Sequence, residues 1–225
     1  MIVVEHHCYQ PPKPSRAMRP FARKTPNHFV GELTFGEEKG QGQTLGFGSK
    51  LEHDIALISI YRPGVIDVCE QVEVSFIKPD GKVARHYIDY IVTEEGQFRT
   101  AVLVKKKYVA DGAKFQDIAA RVALAAIPSV ADKVVIATED ILELNLLMRV
   151  EQFHSCRFAQ PFFDQRLSAA LDQIEGETTI REFLGKSGIG YEGFHGVIRL
   201  IRFGKIKALS PGLLTLSSPI ELGSI

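Results

Sequence analysis

The sequence predicts an α/β protein in which helices cover a mixed sheet, followed by a small C-terminal winged helix-turn-helix domain. Three apolar segments with strand-like alternation lie between residues 65 and 106 and are joined by short turns. The pattern then changes to helix, strand and helix, and a strand that follows a helix implies a mixed sheet. Beyond residue 160, three short helical patterns precede a hairpin, which is the order of a winged helix. We therefore predict two domains, at residues 1–158 and 159–225.

The first predicted segment is a basic extended arm over residues 11–30. It contains five lysine or arginine residues and no acidic residue, and its prolines prevent a long helix. Such an arm is either a solvated tail or a strip that lies along a phosphate backbone. Its basic residues are Lys13, Arg16, Arg19, Arg23 and Lys24.

A glycine-rich segment and a helix follow the arm. The segment "GQGQTLGFGSK" is interpreted as a flexible loop, because Ser49 precedes Lys50 and the order of a phosphate-binding loop is therefore absent. Ser49 is a good N-cap, and the apolar spacing after it predicts an amphipathic helix that ends before Pro63. This helix carries Glu52 in its first turn, beside the apolar stripe.

The next three segments predict an antiparallel meander. They read "VIDVCEQVEVSFI", "ARHYIDYIV" and "FRTAVLVKK", and the turns "KPDG" and "TEEGQ" between them have hairpin composition. Further along, helices are predicted over residues 113–127 and 139–155, with a short buried strand over 132–140. The last predicted elements are helices over 164–174, 178–188 and 191–204, then two brief strands around Pro211 and Gly212.

Composition limits the possible functions. The formal net charge is zero, so the protein lacks the basic excess of one that coats nucleic acid unaided, and any DNA contact must be local or helped by a partner. Its three cysteines, Cys8, Cys69 and Cys156, suggest neither a disulfide framework nor a zinc site. No segment has the apolar length of a membrane span, and the N-terminus lacks signal-peptide features. We expect a soluble protein of the reducing cytoplasm.

Three residues form a constellation that suits phosphodiester cleavage. Carboxylates hold a hard divalent cation, and a nearby lysine can orient or activate water. Here the helical Glu52, the strand residue Asp89 and the strand residue Lys105 have the required types and order. Asp89 and Lys105 are 16 residues apart, which is the separation that two strands and a short turn need to bring both to one edge.

The ordered segments "SKLEHD", "CEQVEV", "RHYIDYIV", "VLVKK" and "VVIATEDI" resemble the TnsA family, the endonuclease subunit of heteromeric transposases. The resemblance spans roughly residues 45–145, and "IRLIRFGKIKALSPGLLTLSSPIEL" resembles the winged-helix tail of that family. It implies a restriction-endonuclease-like core, cleavage of one strand at transposon ends, and Mg²⁺ or Mn²⁺ as the cofactor. It also implies an integrase-type transposase subunit and an ATP-dependent transposition regulator as partners.

The resemblance assigns roles to individual residues. Glu52 and Asp89 would bind the metal, Lys105 would position or activate the attacking water, and the backbone carbonyl of Val104 would be a further ligand. His86 would have no more than a supporting role. The DNA contacts expected on the strand end and in the C-terminal domain are Lys106, Lys107, Arg199, Arg202, Lys205 and Lys207.

One residue departs from the family pattern in a way that affects the chemistry. Leu103 stands where the family has glutamate or glutamine, and leucine offers no oxygen to a metal. Either fewer side chains hold the metal, or a displaced acid such as Glu73 substitutes, or cleavage has been lost. The alternatives are therefore a catalytically weakened DNA-binding and assembly subunit, or a stand-alone restriction or repair nuclease with the same core.

Overall fold

The computed structural model describes residues 10–20, 29–37 and 40–223. Before the main sheet, β1 (Gly31–Phe35) and β2 (Gln43–Phe47) form an antiparallel hairpin. The prediction of a flexible loop over this region is wrong for β2, where Leu45 is fully buried in the core. The strand was missed because its glycines weaken the alternation, while the burial of Leu45 comes from elements distant in sequence.

The helix predicted after Ser49 is present as α1 (Lys50–Tyr61). The Ser49 hydroxyl accepts a hydrogen bond from the backbone N–H of Glu52 at 3.1 Å, which satisfies one of the free donors of the first turn. The helix ends before Pro63, as expected from the sequence.

The main sheet is mixed and has four strands in the order β3-β4-β5-β6. The first three form the predicted antiparallel meander, and β6 pairs parallel to β5. The crossover from β5 to β6 contains the short helix α2 and the longer helix α3. The bounds are β3 (Val65–Ile77), β4 (Val83–Glu94), β5 (Arg99–Val104), α2 (Lys107–Ala110), α3 (Ala113–Ala126) and β6 (Lys133–Ala137).

Helices cover both faces of this sheet, which confirms the predicted arrangement. On one face Tyr90, Val102 and Val104 pack into the same apolar core as α1. On the other face Leu103 packs into a second core with Phe115 of α3. The helix after the sheet, α4 (Leu144–Ser155), begins five residues later than predicted, because residues 139–141 form a separate short turn capped by Thr138.

The C-terminal part consists of three helices and a small sheet with strand order β7-β9-β8. Its own apolar core lies within residues 156–220. The two strands predicted around Pro211 are present as β8 and β9, but residues 209–218 separate them. The helix predicted over 164–174 ends at Ala169. The bounds are α5 (Pro161–Ala169), β7 (Thr178–Thr179), α6 (Ile180–Lys186), α7 (Phe194–Arg202), β8 (Ile206–Ala208) and β9 (Pro219–Leu222).

In the described part of the chain, no helix combines the length and the apolar character needed to cross a bilayer.

Candidate active site

Glu52, Asp89 and Lys105 converge from three elements. Glu52 lies in the first turn of α1, Asp89 lies within β4, and Lys105 directly follows β5. The three are close enough for the charges of Asp89 and Lys105 to shift the pKa of Glu52 in opposite directions. Glu52, Val104 and Lys105 also line one cavity of about 420 Å³.

The Glu52 carboxylate is held at the start of α1. Its Oε2 accepts a hydrogen bond from the Gly48 N–H at 2.7 Å, and its Oε1 accepts one from the Ser49 hydroxyl at 3.2 Å. Burial nevertheless raises the pKa of Glu52, because the charged form loses solvation, and the nearby Asp89 charge adds to that effect. Gly48 and Ser49 thus orient the Glu52 carboxylate, but their hydrogen bonds only partly offset the cost of burying its charge.

Asp89 is almost fully buried, with 4% of its surface exposed. Its Oδ2 accepts a hydrogen bond from the backbone N–H of Val104 at 2.8 Å, and its Oδ1 accepts one from Gln71 Nε2 at 3.3 Å. Burial raises the pKa of Asp89, while the Lys105 charge and the Val104 N–H oppose that rise. The metal-ligand role predicted for the Val104 carbonyl stays a prediction. What the structure shows is that the Val104 N–H orients Asp89.

Asp89 lies at the point in β4 where alternate side chains switch from one face of the sheet to the other. Ile88 and Tyr90 are two residues apart and would share a face in a regular strand. Instead Ile88 packs into the core on the α3 side and Tyr90 into the core on the α1 side. The acid therefore stands between two apolar cores rather than inside either one.

Gln71 on β3 accompanies this irregularity. The register pairs Glu70 with Tyr90 and Val72 with Ile88, so Gln71 lies opposite Asp89. Its φ of 50° is in the left-handed region, which costs a non-glycine residue about 1–2 kcal/mol. The sequence interpretation did not include Gln71. The available signal was two adjacent polar residues, Glu70 and Gln71, which interrupt the alternation of apolar and polar residues in β3.

Positively charged groups surround the acid pair. The Lys105 ammonium lies 5.9 Å from the centre of the Phe115 ring. Arg19 donates from its Nε to Gln71 Oε1 at 2.5 Å. Burial, together with the charges of Lys105 and Arg19, lowers the pKa of His86, so this imidazole is neutral at pH 7. The site therefore combines two acidic with two basic side chains, which suits a phosphodiester as well as a metal.

Leu103 contributes no oxygen to the site. It is fully buried and packs in the core beneath α3. Glu73, the predicted substitute, has its carboxylate 3.6 Å from the Arg85 Nε in an ion pair. Among the described residues, no cluster of three or more His, Cys, Asp or Glu side chains has a metal-binding arrangement.

The two acids fit a hard divalent cation. Mg²⁺ is commonly bound by one or two carboxylates, with water and substrate phosphate completing its shell. The pKa values of Glu52 and Asp89 are both raised by burial, so a bound cation would offset the cost of keeping both ionised. Mn²⁺ accepts the same oxygen donors.

The predicted DNA contacts near the strand end differ in availability. Lys106 is exposed and lines the cavity that contains Glu52 and Lys105. Lys107 forms an ion pair with Asp140, and its backbone N–H donates to Glu139 Oε2 at 2.9 Å. The charge of Lys107 is therefore already balanced by neighbouring acids.

The prediction that Arg199 contacts DNA is corrected by its position. It is 6% exposed, and its guanidinium donates to Asp164, to Gln160 and to the Cys156 carbonyl. These contacts join α5 to α7 within the core. Arg199 lies among the apolar residues of α7, but nothing local in the sequence shows that its guanidinium is buried against Asp164.

The other predicted cations of the C-terminal part lie nearer the surface. The Arg202 guanidinium is 4.4 Å from the centre of the Tyr61 ring and thus faces the N-terminal part of the chain. Lys207 forms an ion pair with Glu221 at 2.6 Å. Lys205 is exposed just after α7.

The basic arm is neither a free tail nor a freely available phosphate-binding strip over its described residues. Lys13 forms an isolated bridge with Gln43 of β2. Arg16 binds both carboxylate oxygens of Asp67 on β3, at 2.9 and 2.8 Å. The predicted contributions of Arg23 and Lys24 lie outside the described residues.

In comparisons with known proteins, no family model matches this chain, and no curated protein matches it significantly in sequence.

Proposed function

We propose that this protein is a metal-dependent DNA endonuclease that cleaves one strand at transposon ends as a subunit of a heteromeric transposase. The observation that carries this proposal is the convergence of Glu52, Asp89 and Lys105 near the end of β5, an inner strand of the mixed sheet. Two carboxylates and a lysine are the groups that hydrolysis of a phosphodiester needs, and Glu52 and Lys105 of this set line an open cavity. The proposed core is restriction-endonuclease-like, and the proposed C-terminal unit is a winged helix that contacts DNA or a partner.

Each residue of the site has a separate task in this proposal. Glu52 and Asp89 would hold Mg²⁺ or Mn²⁺, which when bound polarises a phosphoryl oxygen and lowers the pKa of water. Lys105 orients the attacking water or offsets charge that develops on the phosphate. Val104 keeps the Asp89 carboxylate turned toward the site through its N–H. Lys106 supplies positive charge where the DNA backbone would approach.

The proposed partners are those that the resemblance to the TnsA family implies. They are an integrase-type transposase subunit, which would cut the other strand, and an ATP-dependent transposition regulator. The zero net charge favours assistance in DNA binding by such partners.

A second candidate function is a nuclease-like subunit that binds DNA and assembles the complex without cleaving. The observation that favours it is Leu103, which fills the core at the position where an oxygen ligand is expected. The two candidates share the fold and the DNA contacts, and they differ only in strand cleavage.

Cleavage can be tested with purified protein, DNA carrying transposon ends, Mg²⁺ or Mn²⁺, and the proposed integrase-type transposase subunit. Asp89→Asn should abolish strand cleavage. Asp80→Asn is the matched control, since Asp80 lies in the exposed β3–β4 turn and its Oδ1 accepts from the Lys82 N–H, a contact that asparagine retains. Cleavage that survives in Asp89→Asn would contradict the nuclease proposal. DNA binding without any cleavage by the parent protein would favour the assembly subunit.

A further inference from the structure

The described part of the N-terminal arm is docked along the edge formed by β2 and β3. The Lys13 N–H donates to the Gly42 carbonyl at 2.7 Å, and the Thr44 N–H donates to the Lys13 carbonyl at 2.9 Å. Further along the arm, Arg16 donates from its side chain to Asp67 and from its backbone N–H to Glu70. These contacts link residues more than 25 positions apart, so the arm is part of the folded structure.

Met18 and Arg19, near the end of the described part of the arm, both contact Gln71. The Met18 N–H donates to the Gln71 carbonyl at 3.2 Å, and Arg19 Nε donates to the Gln71 side-chain oxygen at 2.5 Å. The Arg19 guanidinium also lies 4.9 Å from the centre of the Tyr87 ring on β4, which limits its orientation. Backbone and side chain of Gln71 are thus both held from the arm.

Gln71 transmits this contact to the acid. Because Arg19 occupies the amide oxygen, the amide nitrogen of Gln71 must point the other way, and it donates to Asp89 Oδ1. A left-handed glutamine persists only when its surroundings determine it, and the arm supplies two of those contacts. An amide flip would place an oxygen against the Asp89 carboxylate.

We propose that Arg19 is a positioning residue for Asp89, acting through Gln71, so that docking of the N-terminal arm sets the geometry of the acid pair. The catalytic consequence rests on the proposed nuclease function, whereas the link between Arg19 and Asp89 does not. The site is thereby assembled from five parts of the chain: the arm, α1, β3, β4 and the end of β5.

The link can be tested without metal or DNA by ¹H–¹⁵N NMR of the Gln71 side-chain amide. In the parent protein this resonance should follow the titration of Asp89, because the amide donates to that carboxylate. The Asp89→Asn protein assigns the titration, since Glu52 and Lys105 lie close by. In Arg19→Ala the resonance should lose this pH dependence. Lys13→Ala removes the same charge from the same arm at an exposed side chain and should retain it.

Metal affinity gives the second readout, using Mn²⁺ binding measured by electron paramagnetic resonance on DNA-free protein. Arg19→Ala should weaken Mn²⁺ binding about 10–100-fold, as expected for loss of a group that orients a ligand. Lys13→Ala should change it less than about twofold. In a Gln71→Gly background, where glycine adopts the left-handed backbone freely, Arg19→Ala should add no further loss.

The outcomes separate the two proposals. A Gln71 amide that still follows Asp89 in Arg19→Ala would overturn the positioning role, as would a fully additive loss of Mn²⁺ affinity in the double variant. A parent protein that binds no Mn²⁺ would contradict the metal-dependent function, while the NMR comparison would still decide the role of Arg19.

Discussion

Gln71 donates a hydrogen bond to Asp89 across the first two strands of the main sheet, from a backbone with a φ of 50°. The contact occurs at the point where β4 exchanges its faces, between Ile88 and Tyr90. A regular strand would direct residue 89 to one face of the sheet, whereas the irregular pair leaves its carboxylate at the boundary of both cores. The local irregularity and the candidate catalytic acid are therefore one structural feature.

Asp89→Asn should separate activity from stability. The asparagine oxygen can still accept the Val104 N–H and the burial of a charge is avoided, but the asparagine Nδ2 then faces the Gln71 Nε2, so one buried hydrogen bond is lost. We expect cleavage to fall below detection while the free energy of unfolding falls by no more than about 1–3 kcal/mol. Urea denaturation followed by circular dichroism measures the second quantity. A large loss of stability would mean that Asp89 is primarily a structural residue.

Leu103→Gln, which introduces a side-chain oxygen at this position, should destabilise the protein. Leu103 is fully buried beside Ala101 and Phe115, so the variant loses apolar contacts and buries an amide. We expect the free energy of unfolding to fall by about 2–5 kcal/mol. Leu103→Met, which keeps the volume, should cost less than about 1.5 kcal/mol.

The same variant distinguishes the two candidate functions once its folding is established. If Leu103→Gln cleaves DNA that the parent protein does not cleave, the parent is an assembly subunit. If the parent already cleaves, two carboxylates are sufficient to hold the metal.

Stability should depend on pH through the acid pair. Burial raises the pKa values of Glu52 and Asp89 in the folded state above the ordinary values of 4.5 and 3.8. The folded state then binds more protons than the unfolded state in the window above those values. The free energy of unfolding contributed by this pair should therefore fall as the pH rises through the window.

Urea denaturation at a series of pH values, compared between the parent protein and Glu52→Gln, measures this contribution. Glu52→Gln should reduce the decline, and saturating Mg²⁺ should oppose it at neutral pH by binding the folded state alone. A steeper decline in Glu52→Gln than in the parent would contradict the assigned direction of the pKa shift.

His154 should make a contribution of the opposite sign. Burial lowers its pKa from 6.5 to about 4, and its Nδ1 lies 3.0 Å from the Tyr61 hydroxyl. The unfolded state binds more protons between these values, so stability is lost as the pH falls from about 6.5 toward 4. His154→Asn should remove this acid sensitivity in denaturant titrations. Equal slopes in the two proteins over that range would contradict the prediction.

Alanine substitution should lower the stability of the protein at Arg199 but not at Lys205. Arg199→Ala breaks a buried ion pair with Asp164, so we expect a loss of roughly 3 kcal/mol in the free energy of unfolding. Lys205→Ala should leave stability nearly unchanged. If the C-terminal part contacts DNA, Lys205→Ala should reduce the dependence of log affinity on log salt by about one. Fluorescence anisotropy with labelled DNA at several salt concentrations measures that slope.

Local sequence patterns were sufficient to predict most of the helices and strands. The Ser49 cap, the three alternating strands and the helix before β6 all depend on residues close in sequence, and each is present. The β1–β2 hairpin was missed, because its burial comes from other parts of the chain. The start of α4 was placed too early, because Thr138 caps a separate turn.

For the candidate site, the sequence by itself determined the residue types, their order, and the separation that brings Asp89 and Lys105 to one edge. These depend on strand length and turn length, which are local properties. Only the tertiary structure decided that Gln71 orients Asp89, that Arg19 holds Gln71, and that Arg199 is buried. Those contacts join residues 18 to 52 positions apart, and no local periodicity encodes which distant side chains the packing brings together.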